Sequence, residues 1–201
     1  WPSTQLYVAR PPGVHRDVVL LRGIEPNMRW RQFCAELLAA SDDLGVELVI
    51  TLGALLSESV HTRPIQVSGT ATELDLEDRL KLEAATYEGP TGIVGVLTEA
   101  LTDAGFDTIS LWAAVPHYLA NQTYPPGVEA LVRKAAEIAG LDLELGNLQA
   151  RSASFRRRIE AALDESEELA DYVRELEAEG MDEPDSGEDL VDEIERYLRD
   201  V

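Results

Sequence analysis

Two short segments hold the side chains of this sequence that are best suited to chemistry. The first contains His61 and Arg63, and the second contains His117, Tyr118 and Asn121. An imidazole can exchange a proton near neutral pH, and a guanidinium can hold a carboxylate or phosphate through paired hydrogen bonds. Both segments follow predicted strands, and ligands of open α/β sheets collect outside the carboxyl ends of strands. We therefore expect these five side chains to line one rim of the sheet and to bind a ligand or partner there.

The same side chains also have purely structural interpretations, which the sequence leaves open. Arg63 could pair with a nearby carboxylate, and His117 with Tyr118 could cap the edge of the sheet. The spacing fits no metal-binding pattern, since Cys34 is the one cysteine and there is no His-x-x-x-His pair. No G-x-S-x-G nucleophile motif is present either. The sequence therefore predicts no catalytic residue, no bound metal and no cofactor.

A third candidate site is the start of a helix that the sequence places after residues 84–88. Thr91, Gly92 and Gly95 put small residues at this position, and free N–H groups at a helix N-terminus can bind an anion. The segment lacks the Lys of a Walker loop and does not match the dinucleotide-binding fingerprint. Close packing of the helix on a sheet explains the glycines equally well, so both interpretations stand.

The elements that would position these residues predict an α/β fold. Apolar runs with β-branched residues at 46–52 and 108–115 indicate strands, and the first fits a strand buried on both faces, as parallel sheets require. Apolar residues at helical spacing predict helices at 28–44 and 127–139. Strands alternating with such helices indicate crossover connections and a mostly parallel sheet. Other expected elements are strands at 5–9, 17–23, 65–70 and 84–88, and helices at 73–82 and from 89–95 to about 105.

From Asn147 onward the sequence changes character, which divides it into a sheet domain at 1–146 and an acidic helical region at 147–201. A narrow apolar stripe runs through a charged helix at 150–180, and a last helix is expected at about 188–198. The stripe consists of Phe155, Ile159, Leu163, Leu169, Val173 and Leu176. We predict that this helix packs on another subunit or back on the sheet domain, with Leu169, Val173 and Leu176 as interface residues.

The charge balance excludes some classes of partner. The chain has 17 Lys and Arg against 38 Asp and Glu, a net charge of −21. Binding to a nucleic-acid backbone needs clustered basic residues, and an anionic membrane surface repels an acidic protein. No apolar run approaches the roughly 20 residues that span a bilayer. A single cysteine suits a reducing compartment. We therefore expect a cytoplasmic protein that binds neither nucleic acid nor membranes.

Several segments of the sequence resemble the proteasome assembly chaperone family, most closely its actinobacterial members. These segments are His61-Thr62-Arg63-Pro64, Val115-Pro116-His117-Tyr118-Leu119-Ala120, the helix start at 89–95, and Leu20-Leu21-Arg22-Gly23-Ile24-Glu25-Pro26 followed by Arg29-Trp30. The resemblance covers about residues 5–180. It implies a three-layer α/β/α sandwich of the phosphorylase/hydrolase-like kind, with the acidic helical region appended. It also implies a homo-oligomer or hetero-oligomer.

The resemblance favours a non-enzymatic, assembly-chaperone-like homo-oligomer with a proteasome-related or other protein partner. The alternative is a small-molecule-binding protein or enzyme on the same fold, of the kind once labelled ATP-dependent carboxylate–amine ligases. It would use the helix start at 89–95, Arg63 and His117. Members of the family normally have a strand and a helix before the region of Gln5, so we expect an upstream segment. Relatives that dock into proteasome pockets can end in a hydrophobic–Tyr–any-residue tail, whereas this sequence ends in Arg199-Asp200-Val201.

Overall fold

The computed structural model describes residues 3–11, 16–72 and 92–179. Within these residues there are five strands and five α-helices. They are β1 (Gln5–Ala9), β2 (Val18–Arg22), α1 (Trp30–Asp43), β3 (Leu48–Ser57), β4 (Val67–Ala71), α2 (Ile93–Asp103), β5 (Asp107–Pro116), α3 (Pro125–Ala139), α4 (Leu148–Glu165) and α5 (Glu167–Glu179). A 3-10 helix, His117–Leu119, follows β5. The helix expected at 73–82, the strand at 84–88 and the helix at 188–198 lie outside the described residues.

The central sheet has the strand order β3-β5-β4. β3 runs parallel to β5 over its whole length, from Leu48 opposite Asp107 to Ser57 opposite Pro116. β4 is antiparallel to β5, so the expectation of a mostly parallel sheet holds for one of the two described pairings. A parallel return needs a crossover of a dozen or more residues, and the connection at 58–66 between β3 and β4 is shorter.

The two faces of the sheet are covered by different helices, which gives the three-layer α/β/α sandwich. Side chains alternate along β5, and Ile109 and Leu111, at 1% and 0% exposure, pack with Leu131 of α3. On the other face Val49 of β3 packs against the cluster of Cys34 from α1 and α2 residues, which places α1 and α2 there. The expected α/β fold is confirmed. None of the described helices is both long and apolar enough to cross a bilayer.

Among the described residues, two apolar surfaces are exposed. The antiparallel hairpin of β1 and β2 exposes large side chains along both strands, and Leu20 keeps 55% of its surface accessible. Leu52 and Leu56 of β3 are also exposed, so the expectation that this strand is buried on both faces is wrong. The contacts of α3 include Leu48 and Ile50 in the first half of β3, and the exposed leucines lie further along the strand.

The ends of the helices follow local signals to different degrees. Gly45 and Gly140 adopt left-handed conformations after α1 and α3, with φ of 63° and 66°, as expected for helix C-termini. The predicted helix at 150–180 is two helices, because the backbone at Ser166 is extended. The Ser166 hydroxyl accepts a hydrogen bond from the Leu169 N–H at 3.3 Å and so caps α5, whose first turn contains two glutamates.

Candidate functional site

The parallel pairing of β3 and β5 brings two of the predicted segments to one edge of the sheet. Ser57 and Pro116 lie opposite each other at the carboxyl ends of these strands. The chain continues from Ser57 to His61 and from Pro116 into the 3-10 helix that begins at His117. The structure therefore places His61, His117 and Tyr118 at one rim. Whether they bind a ligand there stays a prediction.

His61 and Tyr118 form a reciprocal pair of hydrogen bonds. The His61 backbone N–H donates to the Tyr118 hydroxyl oxygen at 2.9 Å, and the same oxygen lies 2.7 Å from the imidazole Nδ1. When the hydroxyl accepts the first bond and donates the second, Nδ1 is the acceptor and the neutral ring carries its hydrogen on Nε2. Burial lowers the pKa of His61, while Glu177 and Glu160 act in the opposite direction.

His117 is held by a second tyrosine, which comes from α5. Its Nδ1 is 3.2 Å from the Ser57 carbonyl oxygen, which can only accept, so Nδ1 carries the hydrogen. In the neutral ring Nε2 is then the acceptor for the hydroxyl of Tyr172. The rings of His61, His117, Tyr118 and Tyr172 contact one another edge to face, with centroids 5.7–6.4 Å apart. We call these four residues the rim cluster.

Helix α5 closes over the rim cluster through further contacts. The Thr62 hydroxyl donates to a carboxylate oxygen of Glu177 at 2.5 Å, and a guanidinium nitrogen of Arg63 donates to the Glu177 backbone carbonyl at 2.9 Å. Val173 and Leu176 are only 3% and 4% exposed, and Leu169 is half-buried. The helix therefore packs back on its own sheet domain, one of the two arrangements that the sequence predicted. An interface role for these residues stays a prediction.

The sequence did not single out Tyr172 and Glu177 as part of the rim. Tyr172 lies one residue before Val173 of the apolar stripe and is itself partly buried. Its spacing of four residues to Leu176 puts the two on adjacent turns of one helix face, which is a signal that could have identified it. Glu177 is one of many charged residues in this region and carries no comparable local signal. The remaining predicted rim residue, Asn121, is exposed in the turn after the 3-10 helix.

The predicted anion site at the start of α2 is already paired with a carboxylate of the same chain. The Ile93 backbone N–H, in the first turn of the helix, donates to Oε1 of Glu25 at 2.8 Å. Gly92 is the N-cap residue, and a Cβ added there would lie 3.1 Å from the same oxygen. Gly95 lies within the helix, and Thr91 is outside the described residues. An external anion would have to compete with Glu25 for this position.

The rim cluster offers hydrogen-bonding groups but little reactivity in this arrangement. Both Nδ1 atoms and the Nε2 of His117 are engaged in contacts within the chain. Burial raises the pKa of Tyr118, which keeps the phenol protonated at neutral pH. Across the described ranges, no group of three or more His, Cys, Asp or Glu side chains is arranged to hold a metal ion. The cluster is therefore suited to fastening α5 to the sheet.

Comparisons with known proteins place these features in a family. The model of the PAC2 family matches residues 1–163. A PAC2 family protein from Streptomyces avermitilis is 48% identical, with a TM-score of 0.78, over 86% of this chain and 73% of the other. A proteasome-assembly chaperone homologue from Mycobacterium tuberculosis is 44% identical, with the same TM-score and coverage. PbaB of Pyrococcus furiosus, an archaeal proteasome activator, shares the fold at 18% identity and a TM-score of 0.66, over 80% of this chain and 71% of its own. No curated protein matches the sequence.

Proposed function

This chain belongs to the PAC2 family, and from that premise we propose that it is a non-enzymatic, proteasome-assembly-chaperone-like interaction protein that acts as a homo-oligomer in the cytoplasm. The family resemblance of the two histidine-containing segments is thereby confirmed. A proteasome-related protein is the partner that this membership favours, because the relative from Mycobacterium tuberculosis is a proteasome-assembly chaperone homologue. The fold alone would not support this role, since one architecture hosts many functions.

The closed rim is the observation that carries the non-enzymatic part of the proposal. Substrates of α/β enzymes bind at the carboxyl ends of the strands, and here α5 covers that position. His61 and His117 contact hydroxyl groups of Tyr118 and Tyr172 rather than an open pocket. An enzyme on this fold would need α5 to move away before a substrate could reach either imidazole.

The exposed hairpin supports self-association. β1 and β2 pair only with each other among the described strands, and an isolated two-stranded hairpin is marginally stable in water. Leu6, Val8 and Leu21 lie on one face of the hairpin, and each exposes more than two fifths of its surface. Contiguous exposed apolar patches of this kind mark protein–protein interfaces. A second copy of the chain that covers the hairpin would bury these side chains.

The proposal is tested by measuring the mass of the purified protein under native conditions and its capture by the 20S proteasome core of its own source. We expect a defined multimer and saturable binding to the core, without turnover of ATP. The variant Leu21→Glu should lower the native mass, whereas Leu143→Glu, at an exposed leucine outside the strands and helices, should leave it unchanged. A monomer that does not bind the core would refute the proposal.

A further inference from the structure

An open cleft of about 440 Å³ lies between α4 and the loop that leads into α3. One wall is a single face of α4, because Arg151, Phe155 and Arg158 recur at spacings of four and three residues. The other wall is the loop with Gln122 and Thr123. Ser154 and Pro125 complete the lining. The cleft is separate from the rim cluster, with which it shares no residue.

Two positive charges face this cleft without an acidic partner in the described part of the chain. The described ion pairs use other cations, namely Arg10, Arg16, Arg133, Lys134 and Arg174. Arg151 and Arg158 are in none of them, although the chain has 38 acidic residues against 17 basic ones. The Arg158 guanidinium lies 5.8 Å from the centroid of the Phe155 ring, a cation–π contact that orients it at the wall of the cleft. The cleft therefore presents positive charge on a strongly acidic protein.

The spacing of the two arginines indicates the shape of the ligand. They are seven residues apart on α4, which is about 10.5 Å along a helix that rises 1.5 Å per residue. In a polyproline II segment, which has three residues per turn and rises about 3.1 Å per residue, residues three apart lie on the same side and are separated by about 9.3 Å. A β-strand suits the cleft less well, because residues three apart on a strand point to opposite faces. A segment in the polyproline II conformation with acidic residues at positions i and i+3 therefore fits the spacing of the two arginines.

We propose that this cleft binds an extended acidic segment of a partner protein, with one carboxylate paired to Arg151 and another, three residues along, paired to Arg158. Guanidinium groups hold carboxylates through short, charge-assisted hydrogen bonds. The amide of Gln122 and the hydroxyls of Thr123 and Ser154 can pair with the backbone N–H and C=O groups that an extended segment leaves open. That the ligand is a protein rests on the proposed function. The cleft adds the chemistry of the segment that would be recognised, which is extended and acidic.

The test uses the whole chain and a fluorescently labelled peptide that contains Glu-x-x-Glu in a Gly and Ser background. We expect saturable anisotropy changes that weaken as salt increases, and no binding of the matching Gln-x-x-Gln peptide. Arg151→Gln and Arg158→Gln should each weaken binding about tenfold. Arg157→Gln removes the same charge from the same helix, but Arg157 lies outside the cleft. The affinity of this variant for the peptide should therefore stay within about twofold of that of the unchanged protein. Unlabelled peptide should displace the probe, and inorganic phosphate at equal concentration should not.

Three results would overturn the proposal. The first is no binding at millimolar peptide. The second is an equal loss of peptide affinity in Arg157→Gln, which indicates non-specific attraction. The third is displacement of the peptide by phosphate at equal concentration, which indicates a site for small anions. The measurement needs neither a proteasome core nor a multimer. Peptide binding by a monomer that does not bind the core would therefore refute the proposed function and support the cleft. Core binding by a multimer that does not bind the peptide would support the function and refute the cleft.

Discussion

Shortening Leu176 to alanine should release α5 from the rim while the central sheet stays folded. Leu176 is 4% exposed, and α5 is held by hydrogen bonds to the rim besides this apolar contact. Removing a buried leucine side chain costs about 2–5 kcal/mol, through lost burial and the cavity left behind. Because α5 packs on the surface of the domain and can partly collapse into the gap, we expect about 2–3 kcal/mol.

Hydrogen exchange measured by mass spectrometry would check this value segment by segment. If α5 opens independently of the sheet, a loss of about 2–3 kcal/mol speeds exchange of its amides by roughly 30- to 150-fold. Peptides from β5, whose central residues are almost fully buried, should exchange as before. The control is Leu169→Ala on the same helix, where the side chain is only half-buried and the effect should be clearly smaller. Equal acceleration in α5 and β5 would mean that the helix and sheet open as one unit and would refute the reasoning.

Three further expectations concern other contacts. Burial lowers the pKa of His61 below its usual 6.5, so the folded state favours the neutral ring. This contribution to the stability of the folded state is full above pH 6.5 and is lost as the pH falls below 6.5. Proteolysis of α5 should therefore become faster toward pH 5.5, and this acceleration should be smaller in His61→Gln. The buried Tyr124 hydroxyl has no hydrogen-bond partner in the described structure, and burial raises its pKa to about 12. Tyr124→Phe should therefore have the same melting temperature as the parent protein or a higher one, with a gain of up to about 1 kcal/mol in the free energy of unfolding. A clear loss of stability would reveal a missed hydrogen-bond partner of the Tyr124 hydroxyl. Glu25→Ala leaves the Ile93 N–H without its acceptor and should lower stability in urea by about 1 kcal/mol, whereas an unchanged midpoint would show that water replaces the carboxylate.

Much of the fold was predictable because its signals are local. The run at 108–115 is apolar and β-branched, and it became the buried central strand β5. Gly45 and Gly140 end their helices because a residue without Cβ adopts positive φ at little cost. The break at Ser166 was also encoded, by a hydroxyl residue followed by two glutamates, but the apolar stripe runs through both helices and obscured it.

The sequence by itself therefore determined the α/β class, the strand ends that carry His61 and His117, and the family to which these segments belong. Only the tertiary structure decided which groups those residues contact. Tyr172 is 55 residues from His117 along the chain, and Glu25 is 68 residues from Ile93. Periodicity and turn signals act over a few residues, whereas such pairings depend on how whole helices pack on the sheet. For the same reason the sequence placed imidazoles at a rim but did not reveal that a helix of the same chain would close it.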